Sequence, residues 1–180
     1  PPVHGMATIN AAVYECLRKV GVDPIRINTR AKTLDRSLMA RLGRIPLIAS
    51  ALFAMLTVPA ETRSSYMSVS AGWGQLYEIG FALVARARGL RIVLHHHNYA
   101  YLDHPRQLAR FLFLIAGSKA RHVVLSPGMA KKLREVYAIE SVPAIPNVAF
   151  LPAPSNTSRI VRDELRTVGF ISNISREKGI

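Results

Sequence analysis

Three consecutive histidines, His95, His96 and His97, end a short apolar run in the stretch "IVLHHHNYAY". Imidazole side chains can ligate a metal, exchange protons or hydrogen-bond a ligand. Successive strand residues point to opposite faces of a sheet, so His95 and His97 share one face and His96 the other. No cysteine or carboxylate adjoins them to complete a metal site, although Asp103 and His104 could contribute ligands. The pattern favours a structural role for at least one of the first two histidines, a ligand-facing position for His97, and no metal.

Polar residues also follow the other apolar runs that are predicted to be strands. In an open parallel sheet, ligands bind at the carboxyl ends of the strands. Polar residues at these positions are therefore candidates to line one cleft. The residues at these strand ends are Asn28, Thr29, Ser68, Ser70, His95, His96, His97, Asn98, Ser126, Pro127 and Asn147.

Two loops have the composition of an anion-binding turn. The first is "PPVHGM", in which His4 and Gly5 precede a predicted helix whose first backbone N–H groups are free. The second is "SNISREKGI", in which Asn173, Lys178 and Gly179 follow a predicted strand, and lysine is a point charge suited to phosphate. Taken alone, each loop is equally well explained as an ordinary solvated turn.

Alternating helices and strands must position these candidates. Apolar residues at helical or strand-like spacing, with short connections, predict an α/β fold with a doubly wound, Rossmann-like parallel sheet and helices on both faces. In one helix, residues 76–88, the predicted buried face is Leu76, Ile79, Leu83 and Val84. The predicted helices are residues 7–20, 45–58, 76–88, 108–116 and 127–137, and the predicted strands are residues 25–28, 65–70, 91–96, 122–126 and 142–145.

The composition restricts the class of protein. Of the 180 residues, 49% are hydrophobic, which is enough to build a core. The single cysteine, Cys16, excludes an internal disulfide and a cysteine-rich zinc site, and it favours a reducing, cytoplasmic compartment. The formal net charge of +13 indicates an anionic neighbour, such as nucleic acid, a membrane surface or a phosphorylated ligand.

The most apolar stretch, residues 45–58, is too short to span a membrane, since a span needs roughly 18 or more consecutive apolar residues. Basic residues crowd the segment before it. This combination fits a helix at an anionic membrane surface, such as the inner face of a membrane, and equally a helix packed inward beside solvated arginines. The basic residues are Arg30, Lys32, Arg36, Arg41 and Arg44.

The amino-acid composition of the sequence changes near residue 150. We predict that residues 1–150 form one Rossmann-like domain and that residues 151–163, rich in Pro, Ser and Asn, form a linker. Residues 164–180 then begin a second domain with a new apolar strand. Neither end of the sequence has the features of a natural terminus, so we expect a fragment.

Four segments together resemble the family-4-type retaining glycosyltransferases, whose GT-B architecture sets two Rossmann-like domains across a cleft. The segments are "PPVHGMATINAAVYECLRKVGVDPIRIN", "RGLRIVLHHHN", "HVVLSPGMAKKLREVYAIESVPAIPNVA" and "TVGFISNISREKGI", in the family's order. The resemblance implies an acceptor-side domain followed by the start of a nucleotide-sugar-binding domain. It also implies sugar transfer from a nucleotide-sugar co-substrate to a glycan or lipid-linked hydroxyl acceptor, without a further cofactor.

The resemblance implies roles for individual residues. Gly5 lets backbone amides approach the donor phosphate or sugar, His97 contacts the transferred sugar near the reaction centre, and Lys178 pairs with the diphosphate. A fixed cation there stabilises the charge that develops on the leaving group. Ser172 and Asn173 stand where many relatives carry glycine and arginine, which removes one phosphate-binding cation. The residues predicted to line the cleft are His4, Asn98, Ser126 and Asn147.

Two other classes of protein compete with this interpretation. The first alternative is a basic Rossmann-like module that binds a nucleotide or nucleic acid without transferase activity. The sequence has no stacking-aromatic RNA motif and no helix-turn-helix pattern, so nucleic acid is not the expected partner. A dinucleotide oxidoreductase needs Gly-x-Gly-x-x-Gly after its first strand, and "PPVHGM" is not that fingerprint. The family's glutamate-containing donor loop lies beyond residue 180, so we expect the chain alone to be inactive.

Overall fold

The computed structural model describes residues 5–29, 39, 42–140 and 142–150 of the chain. The predicted linker and second domain, residues 151–180, lie outside this part. The helices are α1 (Gly5–Lys19), α2 (Ile45–Leu56), α3 (Gly74–Ala87), α4 (Ala100–Asp103), α5 (Gln107–Ala116), α6 (Pro127–Tyr137) and a 3₁₀ helix (Asn147–Phe150). The strands are β1 (Ser64–Val69), β2 (Arg91–His96) and β3 (Arg121–Val124).

The three strands form one parallel sheet in the order β1-β2-β3. Val93 of the central strand β2 pairs with Tyr66 of β1 on one side and with Arg121 of β3 on the other. Each connection between neighbouring parallel strands runs through helices, as such crossovers require. The predicted α/β fold with a parallel sheet is therefore confirmed. Because β2 is central, the residues at its carboxyl end have neighbours from both flanking strands.

Helices cover both faces of the sheet. On one face, Asn10 of α1 accepts a hydrogen bond of 2.6 Å from the Ser68 hydroxyl of β1. On the other face, the ring of His96 meets that of Phe113 on α5 with centroids 5.5 Å apart. The main hydrophobic core lies on this second side, where α3 and α5 pack together over the sheet. Alternate residues of β2 therefore meet different helices.

The helices α2 and α3 lie side by side and run in the same direction. The Arg44 guanidinium, just before α2, stacks 5.3 Å from the ring of Tyr77 in the first turns of α3. At the other end, Arg88 donates a 2.8 Å hydrogen bond to the carbonyl of Val58. Since α3 starts directly after β1, both helices begin at the carboxyl edge of the sheet. Within the described residues, no helix is long and apolar enough to cross a membrane.

Glycine and serine set the helix boundaries that the sequence predicts. Gly21 and Gly89 adopt positive φ angles of 82° and 68° just after α1 and α3, a conformation that glycine reaches without steric cost. Ser126 caps α6, because its Oγ accepts a hydrogen bond from the Met129 amide. These local signals made the helices the most predictable part of the fold.

One predicted strand is not formed and another is reduced to a single bridge. Residues 25–28 are irregular and pair with no strand in the described part of the chain, and Ile25 is 55% exposed. Residues 142–145 form only a bridge between Ala144 and Val124. The prolines at 143 and 146 cannot donate to a ladder and limit the pairing to this bridge.

The predicted buried face of α3 is also wrong in part. Ile79 is buried, but Leu76 and Leu83 are exposed, and the inward positions are instead Gln75, Ile79, Phe81, Ala82 and Ala85. Small alanines at the inward positions let α3 approach α5 and the sheet closely. The large apolar side chains of Leu76 and Leu83 therefore remain exposed to solvent, which is energetically unfavourable.

Two glycines of α3 should respond oppositely to alanine. At Gly74 an added Cβ would overlap Oγ of Ser70 and lie 3.2 Å from its Cβ, so the turn must shift. We expect Gly74→Ala to lower the free energy of unfolding by about 1–3 kcal/mol. At Gly80 a Cβ would make ordinary contact, 3.6 Å from a methyl of Leu52, and helix propensity favours alanine by about 1 kcal/mol. Urea unfolding of both variants checks this pair, and equal destabilisation would contradict it.

Candidate functional site

The carboxyl end of β2 carries two histidines on one face of the sheet. His95 and His97 have ring centroids 4.1 Å apart, as the strand alternation predicts. Nδ1 of His95 lies 2.6 Å from the hydroxyl of Tyr66 on β1. Among the described residues, the Nε2 atoms of both histidines are buried and have no hydrogen-bond partner. The two Nε2 atoms on this face therefore retain unused capacity for a hydrogen bond.

The middle histidine points the other way and belongs to the core. His96 places Nδ1 2.8 Å from the hydroxyl of Tyr101 and Nε2 2.9 Å from Nδ1 of His122. When the rings are neutral, the phenol donates to Nδ1, and Nε2 carries the hydrogen that it donates to His122. The rings of His96 and His122 stack with an interplanar angle of 16°. His96 is thus the structural histidine that the sequence led us to expect.

Burial keeps these imidazoles neutral. It lowers the pKa of His95 to about 4, with a smaller contribution from the neighbouring His97. Burial also lowers the pKa of His97 and, reinforced by His122, holds the pKa of His96 well below its usual value. The cause is the same throughout, since a buried cation loses its hydration. Near neutral pH the site therefore offers hydrogen-bonding nitrogens without a positive charge.

The loops after β2 and β3 are tied to each other. Tyr99 places its hydroxyl 3.1 Å from Oγ of Ser126, so the two strand ends share a hydrogen bond. Asn98 uses its side-chain oxygen locally, because it accepts a 2.7 Å hydrogen bond from the amide of Ala100, the first residue of α4. Ser126 and Asn98 therefore lie at the predicted edge, but both side chains also have local structural partners.

Gly5 and Asn147 belong to two elements that pack against each other. Gly5 is the first residue of α1, which packs against the 3₁₀ helix that begins at Asn147. The last residue of that 3₁₀ helix, Phe150, has its ring centroid 6.1 Å from that of His95. Oδ1 of Asn147 is buried and has no partner among the described residues. That Gly5, His97, Ser126 and Asn147 border one cleft remains a prediction.

A second polar cluster follows β1, and of its members only Ser70 was predicted from the sequence. Oε1 of Glu78 accepts a 2.9 Å hydrogen bond from the Ser70 amide, and burial raises the pKa of this carboxyl group. Gln75 is buried and donates to the carbonyl of Ser70. Oγ of Ser70, Oε1 of Gln75 and Oε2 of Glu78 lack partners within the described residues. The sequence carries a partial signal for this cluster, because Gln75 and Glu78 are three positions apart and therefore lie on one face of the helix.

Several predicted residues are outside the part of the chain that the structure describes. These are His4, Asn173, Lys178 and Gly179. In the described ranges, no group of three or more His, Cys, Asp or Glu side chains is arranged to hold a metal ion. The arrangement described above suits hydrogen bonding to a polar, uncharged ligand.

Comparison with known proteins adds no assignment. No model of a known family matches the chain, and neither the curated proteins nor the solved structures include a significant match.

Proposed function

We propose that this chain is the acceptor-side part of a retaining glycosyltransferase of the GT-B type, which moves a sugar from a nucleotide-sugar to a hydroxyl acceptor. Its parallel α/β sheet is compatible with the Rossmann-like domain that such an enzyme requires. Polar side chains gather where parallel strands end, which is where open α/β sheets bind ligands.

The observation that carries the proposal is the position of His97. It follows the central strand directly, lies against His95, and keeps a buried Nε2 that no described residue satisfies. A buried polar atom without a partner is costly, so such an atom at a strand end indicates a ligand that completes it. A sugar hydroxyl has the required donor and acceptor capacity.

The charge of the site fits the chemistry of transfer. When a glycosidic bond to a nucleotide breaks, positive charge develops on the departing sugar ring. A protonated imidazole beside that ring would oppose this charge, whereas burial keeps His97 neutral by lowering its pKa. A neutral imidazole can accept a hydrogen bond from a sugar hydroxyl. This hydrogen bond becomes stronger as positive charge develops on the sugar ring.

The proposal is tested by incubating the full-length protein with UDP-glucose or GDP-mannose, tritiated in the sugar, and octyl β-glucoside as a hydroxyl acceptor. We expect a labelled glycoside whose anomeric configuration matches that of the donor by NMR. A product of inverted configuration would contradict the retaining class. Salt-sensitive oligonucleotide binding without transfer from either donor would favour the basic binding module instead.

A further inference from the structure

A rim of exposed apolar side chains surrounds the start of α2 and α3. Trp73, the only tryptophan of the chain, is 64% exposed, and Leu76 is 44% exposed one turn further on. Three more exposed apolar residues precede or begin α2. We define the docking rim as Met39, Leu42, Ile45, Trp73 and Leu76.

The rim lies at the carboxyl edge of the sheet. Met39 and Leu42 belong to a turn that the Gly43 amide closes onto the Met39 carbonyl at 2.9 Å, directly before α2. Arg44 then stacks on Tyr77 and so joins the start of α2 to the start of α3. Trp73 immediately precedes α3. The rim therefore borders the same edge of the sheet as the histidines.

The charge around the rim is one-sided. The segment that carries Met39, Leu42 and Ile45 contains Arg36, Arg41 and Arg44, preceded by Asp35, and the whole chain carries +13. Glu61 and Arg63 both precede β1 and thus lie at the opposite edge of the sheet, while Glu78, which follows Tyr77, accepts a hydrogen bond from the Ser70 amide. Arg44, whose guanidinium stacks on Tyr77 and donates to the Thr29 carbonyl, directly precedes Ile45, and Arg41 lies between Met39 and Leu42 in the sequence.

We infer that the docking rim seats on an anionic membrane surface. Exposed tryptophan and leucine enter the boundary between headgroups and acyl chains, while arginines bind the anionic headgroups. A second copy of this chain is disfavoured by its equal positive charge. Docking in this orientation turns the histidine edge toward the membrane, where a lipid-linked acceptor of the proposed transferase would lie.

Trp73 reports the docking directly, since the chain has no other tryptophan. Its emission is recorded with vesicles of phosphatidylcholine alone and with vesicles containing about one-third phosphatidylglycerol, at about 0.05 M and 0.5 M NaCl. We expect a blue shift with the anionic vesicles at low salt, a loss of that shift at high salt, and little change with neutral vesicles.

Matched variants separate the rim from the rest of the surface. Leu42→Ser and Leu76→Ser should each weaken vesicle binding about fivefold to tenfold, since half-exposed leucines lose part of their apolar burial. Arg41→Gln should weaken it about fivefold, the effect of one charge near an anionic leaflet. The control is Leu114→Ser, because Leu114 is 70% exposed on α5 but its carbonyl contacts Arg86 near the end of α3, at the opposite edge. It should bind as the parent chain does.

Several outcomes would overturn the inference. These are no shift with either vesicle, equal shifts with both, an effect of Leu114→Ser as large as that of Leu42→Ser, or a blue shift that grows with protein concentration without lipid. The last result would mean that a second copy covers the rim. The assay contains no nucleotide-sugar, so its failure leaves sugar transfer to be judged separately, and the reverse also holds.

Discussion

If the proposed sugar transfer takes place beside His97, His97→Ala should lower its turnover by about 10²- to 10³-fold, the effect of removing one fixed hydrogen-bonding group from a reaction centre. The side chain follows β2 and is only half-buried, and its Nε2 has no partner among the described residues. Its removal therefore breaks no known internal hydrogen bond, and the fold should remain intact. The measurement is turnover of the full-length protein with a saturating nucleotide-sugar, together with circular dichroism.

His104→Ala provides the matched control, because His104 lies seven residues further along the chain and is exposed. It should leave turnover unchanged. His97→Gln should restore part of the rate, since an amide can still donate and accept a hydrogen bond. Parent-like turnover in His97→Ala would remove His97 from the reaction centre.

Acidification should destabilise this protein more steeply than its small number of carboxylates suggests. Burial lowers the pKa of His95 and of His122 to about 4 in the folded chain, whereas an unfolded histidine titrates near pH 6.5. Between about pH 6.5 and 4 the unfolded state binds more protons, so stability falls as the pH falls. Each such histidine adds a slope of about 1.4 kcal/mol per pH unit, and these two together cost about 5 kcal/mol by pH 4.5.

His96 and His97 act in the same direction, because burial lowers the pKa of both. Glu78 acts in the opposite direction, since burial raises the pKa of its carboxyl group. The effect of one carboxylate is smaller than that of four histidines, so the free energy of unfolding still falls as the pH falls. Above about pH 7 these histidines contribute no pH dependence, because they are neutral in both states.

Urea unfolding at pH 7.5, 6 and 5 measures this slope. His122→Asn is the informative variant, since its side-chain oxygen can replace Nδ1 as the acceptor for His96 while it no longer titrates. It should reduce the slope by about 1.4 kcal/mol per pH unit. An unfolding free energy that stays constant between pH 7.5 and 5 would contradict the prediction.

The sequence by itself determined most helices and the three paired strands. The predicted strand at residues 91–96 coincides with β2, and the predicted helix at residues 108–116 differs from α5 by one residue. Local features of the sequence predict these elements, namely apolar periodicity, glycine at helix ends and serine before proline. The same alternation correctly divided the histidines between the two faces of the sheet.

Only the tertiary structure determines which side chains contact each other. His96 meets His122 across 26 positions of sequence, and Tyr66 meets His95 across 29, so no local pattern could have paired them. The strand predicted at residues 25–28 failed because strand formation needs a neighbouring strand, which an apolar run does not supply by itself. Likewise, Leu76 was predicted to be buried but faces solvent, because α3 packs on its smaller residues. Periodicity fixes the type of an element, whereas the choice of buried face depends on the shape of what packs against it.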